Sequence, residues 1–222
     1  MRVAIMFSGG KDSTLAIDYA MEKGFEISYL LSVKPNRTDC YLYHYATVEF
    51  TELQAKAMGL KHFLINCDVA DPKKEAELIK ETIKNNPVDA ILLGGVGLQK
   101  TQIRSIEDVV KEFGVKVIVP HQDWDHEKLI KEAIDKGYEI IITSVAVDGL
   151  DQNWLGKKLD FNSLEELKKI SNKFGFHLGG EGGHYDTFVS NGPVFKKKIN
   201  ISDTKKIWNK DSGYLEIKAK LI

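Results

Sequence analysis

The chain has 222 residues, with 31 lysines and arginines against 32 aspartates and glutamates, and a formal net charge of −1 at pH 7. This balance argues against a surface built throughout to hold nucleic acid, although it leaves room for a local basic patch. The two cysteines, Cys40 and Cys67, lack CxxC spacing. The cysteine pattern therefore argues against a disulfide framework and against a cysteine-rich zinc site.

The N-terminus and the apolar runs favour a cytoplasmic protein. Met1 leads directly into an apolar strand pattern without the layout of a signal peptide. The longest apolar runs, at residues 90–98 and 140–147, fall short of the ~20 residues that a membrane helix needs. Lysine greatly outnumbers arginine and glutamate is abundant, which is a composition typical of thermophilic sources.

Strand and helix patterns alternate through the first half of the chain. Short apolar runs predict five strands, at residues 3–7, 27–33, 63–65, 90–93 and 115–119, with helical patterns between them. This alternation predicts a doubly wound, parallel, five-stranded α/β sheet. In such sheets ligands bind beyond the carboxyl ends of the strands, where the glycine clusters at 9–10 and 94–97 lie.

After about residue 120 the strand and helix patterns no longer alternate regularly. Helices are predicted at 127–136 and 163–174, the second with Ser163 as N-cap and Glu166 completing a capping box. Strands are predicted at 139–147, 187–189, 194–201 and 214–221. We therefore expect a nucleotide-binding domain at residues 1–122 and a smaller α+β domain, which binds substrate, at 123–222.

The segment between the first strand and the first helix reads SGGKDS, residues 8–13. Adjacent glycines let the backbone come close to a ligand, and the helix start offers unpaired N–H groups. Together with Lys11 and the hydroxyls of Ser8 and Ser13, these groups make an anion site suited to phosphate. Asp12 is a candidate Mg²⁺ ligand, because hard cations prefer oxygen. The alternative is an ordinary strand–turn–helix corner.

The spacing differs from the common nucleotide P-loop, which separates its glycines by four residues. SGGKDS instead resembles the PP-loop of ATP pyrophosphatases, which have a Rossmann-type fold. The resemblance implies that ATP is cleaved between its α and β phosphates and that a carboxyl or carbonyl oxygen is adenylated. The implied nucleotide site comprises the loop and the later glycines: Ser8, Gly9, Gly10, Lys11, Asp12, Ser13, Gly94, Gly95 and Gly97.

A second glycine-rich segment, residues 179–187, reads GGEGGHYDT. A loop so rich in glycine costs conformational entropy on folding, which suggests close approach to a ligand or to another chain segment. Glu181 could bind a metal, act as a base or hold an amine, and His184 and Asp186 could assist as acid–base groups. The alternative is a long hairpin with Glu181 in solvent.

This second segment resembles the Gly-Glu-Gly-Gly-x-Tyr-Asp/Glu-Thr hallmark of the diphthine–ammonia ligase family. Residues 39–44 and the Gly-Leu-Asp and Trp-Leu-Gly strings within 149–156 resemble further segments of that family. The resemblance implies adenylation of the carboxylate of diphthine on elongation factor 2, followed by attack of ammonia. ATP, Mg²⁺, ammonium and elongation factor 2 are therefore the expected cofactors and partners.

The resemblance also implies roles for individual residues. The expected catalytic residues are Lys11, Asp12, Glu181 and Tyr185, with Asp12 as metal ligand. The expected substrate-binding residues are His44, Gln102, Trp154, Gly182, Gly183, His184, Asp186 and Thr187. For His44 a core-facing position, and for Trp154 packing between domains, are the alternatives.

Two departures from the family pattern bear on the acceptor. His184 stands where the family usually has glutamate, and residues 99–105 keep a glutamine but shift or lose the family's arginines. Arginines at a strand end commonly grip phosphate or carboxylate, so a different acceptor is one alternative. A tRNA-modifying PP-loop enzyme and a non-catalytic ATP sensor are two others. The near-neutral charge disfavours the first, and a homodimer is compatible with all of them.

Overall fold

The computed structural model describes residues 1–35, 47–68, 71–96 and 100–222. The first half of this described chain forms a five-stranded parallel sheet with the order β3-β2-β1-β4-β5. Its strands are β1 (Arg2–Met6), β2 (Glu26–Pro35), β3 (His62–Cys67), β4 (Ala90–Leu93) and β5 (Lys116–Ile118). Its helices are α1 (Lys11–Glu22), α2 (Thr51–Met58), α3 (Pro72–Glu77), α4 (Lys80–Asn85) and α5 (Lys100–Val110). The predicted doubly wound sheet is confirmed.

The second half forms a separate antiparallel sheet of four strands, in the order β7-β6-β9-β8 within the described residues. The strands are β6 (Glu139–Val145), β7 (Tyr185–Asn191), β8 (Ile199–Asn209) and β9 (Ser212–Leu221). Two helices accompany them, α6 (His126–Asp135) and α7 (Phe161–Phe174). The predicted smaller α+β part of the fold is therefore confirmed as well.

The first sheet buries both of its faces, because alternate residues of each strand point to opposite sides. On β1, Val3 and Ile5 join one buried cluster, and Ala4 joins the other. The Ala4 cluster also holds Ile79, Ile83, Ile106 and Val110, so it is covered by α3, α4, α5 and the turns between them. The opposite face, which carries Val3 and Ile5, packs against α1, α2 and the second sheet.

The cluster that contains Val3 and Ile5 continues without a break into the second half of the chain. It includes Leu15 of α1 together with Ile140 of β6 and Phe188 of β7. The second sheet therefore packs on the α1 side of the first and brings β7 to the start of α1. The domain boundary expected after residue 122 lies between β5 and α6 and stays a prediction.

Three local details differ from the sequence-based expectation. The strand expected at 194–201 begins only at Ile199 and continues to Asn209 as β8. The helical pattern between the third and fourth predicted strands forms two short helices, α3 and α4, separated by a turn at Leu78 and Ile79. The N-cap of α7 is Asp160 instead of Ser163. Its carboxylate accepts from the Ser163 N–H at 2.9 Å, and the Ser163 hydroxyl accepts from the Asp160 N–H at 2.8 Å. A capping box is present, but it is shifted by three residues from the expected position.

None of the helices in the described ranges has the length and apolar character needed to cross a membrane.

Candidate active site

The loops that follow β1 and β4 lie side by side at the carboxyl edge of the first sheet. β1 and β4 are parallel neighbours, and the chain leaves β1 toward β2 on one side and returns to β4 on the other. This reversal of strand order creates the crevice in which doubly wound sheets bind ligands. A Cβ on Gly94 would lie 2.5 Å from the backbone carbonyl atoms of Asp12, so Gly94 lets the end of β4 press against the start of α1.

Gly94 thus adjoins the loop at residues 8–13, and Gly95 follows it in the chain. Both glycines are expected from the sequence to let a nucleotide approach. For Gly94 the structure gives a different reason, which is close packing on Asp12 and Ser13. The backbone of Gly95 has a φ of 135°, a value that favours glycine. Gly97 and His44, also expected in the site, lie outside the described residues.

Within the described residues, the first turn of α1 is capped only at the Lys11 N–H, which donates to the Thr187 hydroxyl. Its N-cap, Gly10, makes no side-chain capping bond. By contrast α3, α6 and α7 are capped by the carboxylates of Asp71, Asp125 and Asp160. The first N–H groups of a helix need an acceptor from outside the helix, and together with the helix dipole they favour an anion. The open start of α1 has the chemistry of a phosphate site.

The two serines of the loop hold each other in place. The Ser13 hydroxyl accepts from the Ser8 N–H at 3.2 Å, and the two hydroxyl oxygens are also 3.2 Å apart. Ser8 is exposed and Ser13 is buried. The Ser8 hydroxyl is therefore the one that a ligand can reach from solvent.

Lys11 is the buried charge of the site, with only 3% of its side chain exposed. Its ammonium donates to the Asp12 carboxylate at 2.8 Å and to the Gly179 carbonyl at 2.6 Å. Burial acts to lower the pKa of Lys11, but the negative charge of Asp12 and the groups of Tyr185 and Glu181 outweigh it and raise the pKa above its ordinary value. The ammonium stays protonated, and a lysine has three N–H donors, so one remains for a ligand.

Asp12 is the carboxylate partner of Lys11, and a quarter of its side chain, 26%, is exposed. Within the described ranges no group of three or more histidine, cysteine, aspartate and glutamate side chains is arranged to hold a metal ion. The part of the chain that the structure describes therefore supplies no ready-made cage for Mg²⁺. Asp12 fits the other common arrangement, in which one carboxylate shares the ion with substrate phosphates.

The second glycine-rich segment closes over Lys11 as a hydrogen-bonded turn before β7. The Gly180 N–H donates to the His177 carbonyl at 3.0 Å, and the His184 N–H donates to the Gly180 carbonyl at 3.2 Å. Gly182 and Gly183 lie at the tip with φ of 84° and 81°. Glu181 is half-buried and close enough to influence the pKa values of Lys11 and Tyr185. The segment is thus a compact turn and not a long hairpin.

Tyr185 and Thr187 attach this turn to the loop after β1. The Thr187 hydroxyl accepts from the Lys11 N–H at 3.1 Å. The Tyr185 hydroxyl donates to the Leu178 carbonyl at 2.6 Å, and its ring centroid lies 5.5 Å from the Lys11 ammonium. Burial raises the pKa of Tyr185 to about 12. Both side chains are buried and bonded to other protein groups. They therefore hold the turn against the loop after β1.

Three histidine rings line the outer side of the turn. His177 stacks on His184 with centroids 6.0 Å apart, and His126 lies 5.6 Å from His177. Burial lowers the pKa of both His126 and His184 and so favours the neutral form of these rings. Asp186 accepts a 2.6 Å hydrogen bond from Ser144 on β6. His184 thus lies at the end of the turn, and Asp186 lies on β7 and is tied to β6.

Two other residues expected to bind substrate, Gln102 and Trp154, are not part of the turn. Gln102 lies in the first turn of α5, half-buried. Trp154 is only 4% exposed, belongs to the shared core, and has the Lys157 ammonium 4.1 Å from its ring centroid. Its ring is packed against protein, as the packing alternative predicts.

Sequence reasoning missed Gln54, a fully buried residue of α2. Its side-chain amide donates to the Gly9 carbonyl and to the Val189 carbonyl, each at 2.8 Å. The available signal was a polar residue on the buried face of α2, next to Thr51, Ala55 and Met58. Buried polar side chains almost always have a partner, and here the partner is the loop after β1.

Two protein-family models match the chain and together cover nearly all of it. The diphthamide synthase N-terminal domain matches residues 1–117, and the diphthamide synthase C-terminal domain matches residues 125–222. The first match contains the loop after β1 and the second contains the glycine-rich turn. The two parts of the site therefore come from the two halves of one family architecture.

Curated relatives named diphthine–ammonia ligase agree with these models. The human protein is 30% identical over 92% of this chain and 84% of its own length, and the bovine protein is 28% identical over 98% and 89%. The Schizosaccharomyces pombe protein is 30% identical over 99% of this chain, which spans 39% of that relative's length. The chain belongs to the diphthamide synthase family of ligases.

Proposed function

We propose that this protein is an ATP-dependent ligase that amidates the carboxylate of diphthine on elongation factor 2 with ammonia and releases AMP and pyrophosphate. The observation that carries the proposal is the start of α1, whose N-cap Gly10 makes no side-chain capping bond, beside the buried ammonium of Lys11. A buried cation beside open N–H groups is the arrangement that binds a polyphosphate. Diphthine is proposed as the acceptor because the relatives are named diphthine–ammonia ligase.

The residues that would hold the triphosphate belong to one continuous loop. The N–H groups at the start of α1 and the hydroxyl of Ser8 face the crevice edge, and Lys11 supplies positive charge. The Lys11 backbone N–H is already used by Thr187 at 3.1 Å, so in this proposal Lys11 acts through its side chain. Magnesium, when bound, neutralises phosphate charge, and Asp12 is the carboxylate placed to share it.

The reaction has two steps in which charge moves onto leaving groups. An oxygen of the acceptor carboxylate bonds to the α-phosphorus of ATP, and the bond to the bridging oxygen breaks so that pyrophosphate leaves with the electron pair. The nitrogen of ammonia then bonds to the acyl carbon, a proton is lost and AMP leaves with the former carboxylate oxygen. Because Lys11 keeps its proton, it can stabilise the charge that develops on pyrophosphate.

The turn at residues 179–184 supports the second half of the proposal. It lies against Lys11 through the Gly179 carbonyl, so an acceptor held by this turn would meet the nucleotide directly. Glu181 is half-buried beside Lys11 and Tyr185, which suits it to orient ammonia or to receive its proton. Shelter from water at this point would protect an acyl-adenylate from hydrolysis.

The test combines the protein with ATP, ammonium and elongation factor 2 that carries diphthine, and follows the modified peptide by mass spectrometry. The proposal expects a mass decrease of about one unit, because an NH2 group replaces the hydroxyl of the acid, and one AMP for each amide formed. Formation of AMP without the mass change would assign another acceptor. Absence of both AMP and the mass change would contradict the proposed activity.

A further inference from the structure

The side chain of Gln54 joins the loop after β1 to strand β7. Its Nε2 atom donates one hydrogen bond to the Gly9 carbonyl and one to the Val189 carbonyl, both at 2.8 Å. The Val189 N–H also donates to the Gly9 carbonyl, at 3.1 Å. The three groups form a small closed network between α2, the loop and β7, and Gln54 has no exposed surface.

Both bonds to the Gly9 carbonyl come from the side of α2 and β7. A trans peptide unit is planar and places its carbonyl and its N–H in opposite directions. A Gly9 carbonyl that is fixed toward α2 and β7 therefore directs the Gly10 N–H away from both elements. Among the described residues no acceptor bonds to that N–H. Gly10 is also the open N-cap of α1, so its N–H belongs to the proposed phosphate site.

The fit between Gln54 and Gly9 is close enough to require glycine. A Cβ at position 9 would lie 2.3 Å from the Gln54 Oε1 atom, and the Gly9 backbone has a φ of 83°. The Oε1 atom itself is buried and has no hydrogen-bond partner among the residues that the structure describes. Leaving a buried acceptor unpaired is unfavourable, so the amide is held in this orientation by its two N–H bonds.

We propose that Gln54 is a positioning residue for ATP, which acts by holding the Gly9–Gly10 peptide so that the Gly10 N–H faces the phosphates. The proposal rests on the proposed function, since it assigns the loop to ATP. It predicts that loss of the Gln54 amide weakens ATP binding by much more than loss of an equally stabilising group elsewhere.

The experiment follows the Gly9–Gly10 peptide directly by NMR. In protein labelled with [¹³C′,¹⁵N]glycine, an HNCO spectrum shows only glycines preceded by glycine, which are Gly10, Gly95, Gly180 and Gly183. The Gly10 signal reports its own N–H and the carbonyl carbon of Gly9 together. The comparison uses the wild type, Gln54→Met, which keeps the length of the side chain but removes both donors, and Asp160→Ala, which uncaps α7 away from the site.

Without ATP, Gln54→Met should move the Gly9 carbonyl signal upfield, because that oxygen loses one of its two hydrogen bonds, whereas Asp160→Ala should leave it in place. At one ATP concentration that does not saturate the wild type, the Gly10 signal should shift in the wild type and in Asp160→Ala and much less in Gln54→Met. Calorimetry should show ATP bound at least about tenfold more weakly by Gln54→Met, with a loss of melting temperature like that of the control.

An unchanged Gly9 carbonyl signal in Gln54→Met would overturn the contact itself, whatever happens to ATP. A moved carbonyl signal with wild-type ATP affinity would overturn the positioning role and leave the ATP site standing. If the wild type binds no ATP, the proposed function fails, and the role assigned to Gln54 fails with it. Should Gln54→Met not fold, Gln54→Asn, which holds the amide one methylene short, gives the same comparison.

Discussion

The ammonium of Lys11 lies 2.6 Å from the carbonyl oxygen of Gly179, a residue 168 positions later in the chain. This contact joins the loop after β1 to the glycine-rich turn before β7 around one buried charge. Neither segment forms the site alone, because the first supplies the open helix start and the second supplies the carbonyl that holds the lysine. We expect the chemistry of the protein to depend on this junction.

Replacing Lys11 by methionine should abolish most ATP cleavage while the fold persists. The variant removes the cation that is placed to stabilise pyrophosphate but keeps the buried methylene chain. Loss of one preorganised electrostatic partner typically costs about 10²–10³ in turnover. The measurement is pyrophosphate release with ATP, ammonium and acceptor.

Lys11→Arg provides the matched control, since it keeps the charge but not the geometry of a single ammonium donor. Lys11→Arg should recover little of the lost rate, because the oxygens of Asp12 and Gly179 lie at distances that suit an ammonium and not the larger, planar guanidinium. Full turnover in Lys11→Met would remove Lys11 from the mechanism. Binding of ATP by the wild type with no AMP formed would instead favour the sensor alternative.

Gly94→Ala should damage both stability and ATP binding. The new methyl group would lie 2.5 Å from the Asp12 backbone and would push the start of α1 away from β4. Overpacking of this kind costs about 1–3 kcal/mol. Urea unfolding and calorimetry with ATP measure the two effects in the same preparation.

Gly114→Ala is the control for that glycine. Gly114 precedes β5, at the opposite edge of the sheet, with a φ of 68° and open space where its Cβ would lie. The backbone strain should cost about 1 kcal/mol without any change in ATP affinity. Equal ATP affinity in Gly94→Ala and Gly114→Ala would show that the end of β4 does not shape the nucleotide site.

Asp160→Asn should make the free energy of unfolding less sensitive to low pH. The Ser163 backbone N–H donates to the Asp160 carboxylate and holds its pKa below the ordinary 3.8. A depressed folded pKa means that the stabilisation is complete above pH 3.8 and is lost as the pH falls through the folded value. Asparagine keeps the cap but does not titrate.

The measurement is the free energy of unfolding from pH 6 down to pH 2.5 for the wild type, Asp160→Asn and Asp160→Ala. The alanine variant should be about 1 kcal/mol less stable than the wild type near pH 6, and this difference should shrink in acid. A constant difference between wild type and alanine across the range would contradict the role of the ionised carboxylate.

Trp154→Phe should lower stability and leave acceptor binding intact. The indole lies in the shared core with 4% exposure, so its loss removes packing and the contact with Lys157. A decrease of about 1–3 kcal/mol in the free energy of unfolding is expected. A raised KM for the acceptor with unchanged stability would instead show that Trp154 contacts the substrate.

The sequence predicted the first sheet well because its signals are local. Each strand is a short apolar run, and Gly24 and Gly59 end the elements that precede β2 and β3. The loop at residues 8–13 was recognisable because six adjacent residues carry its chemistry. The glycine-rich turn was recognisable for the same reason, although its close packing on Lys11 was not.

What the sequence could not predict depends on contacts between distant residues. Gln54 reads as an ordinary helix residue until β7 is placed beside it by the second sheet. The exposure of Trp154 depends on how α7 and β6 enclose residues 149–156. The N-cap of α7 was misplaced because Asp160 and Ser163 are both good capping residues, and only the backbone geometry distinguishes them.

The most direct test of the central claim is a crystal structure with the α,β-methylene analogue of ATP. The account predicts that the β and γ phosphates lie against residues 8–13, with the Gly10 N–H and the Lys11 ammonium within hydrogen-bond distance. A triphosphate bound in another part of the molecule, with this loop free, would contradict it.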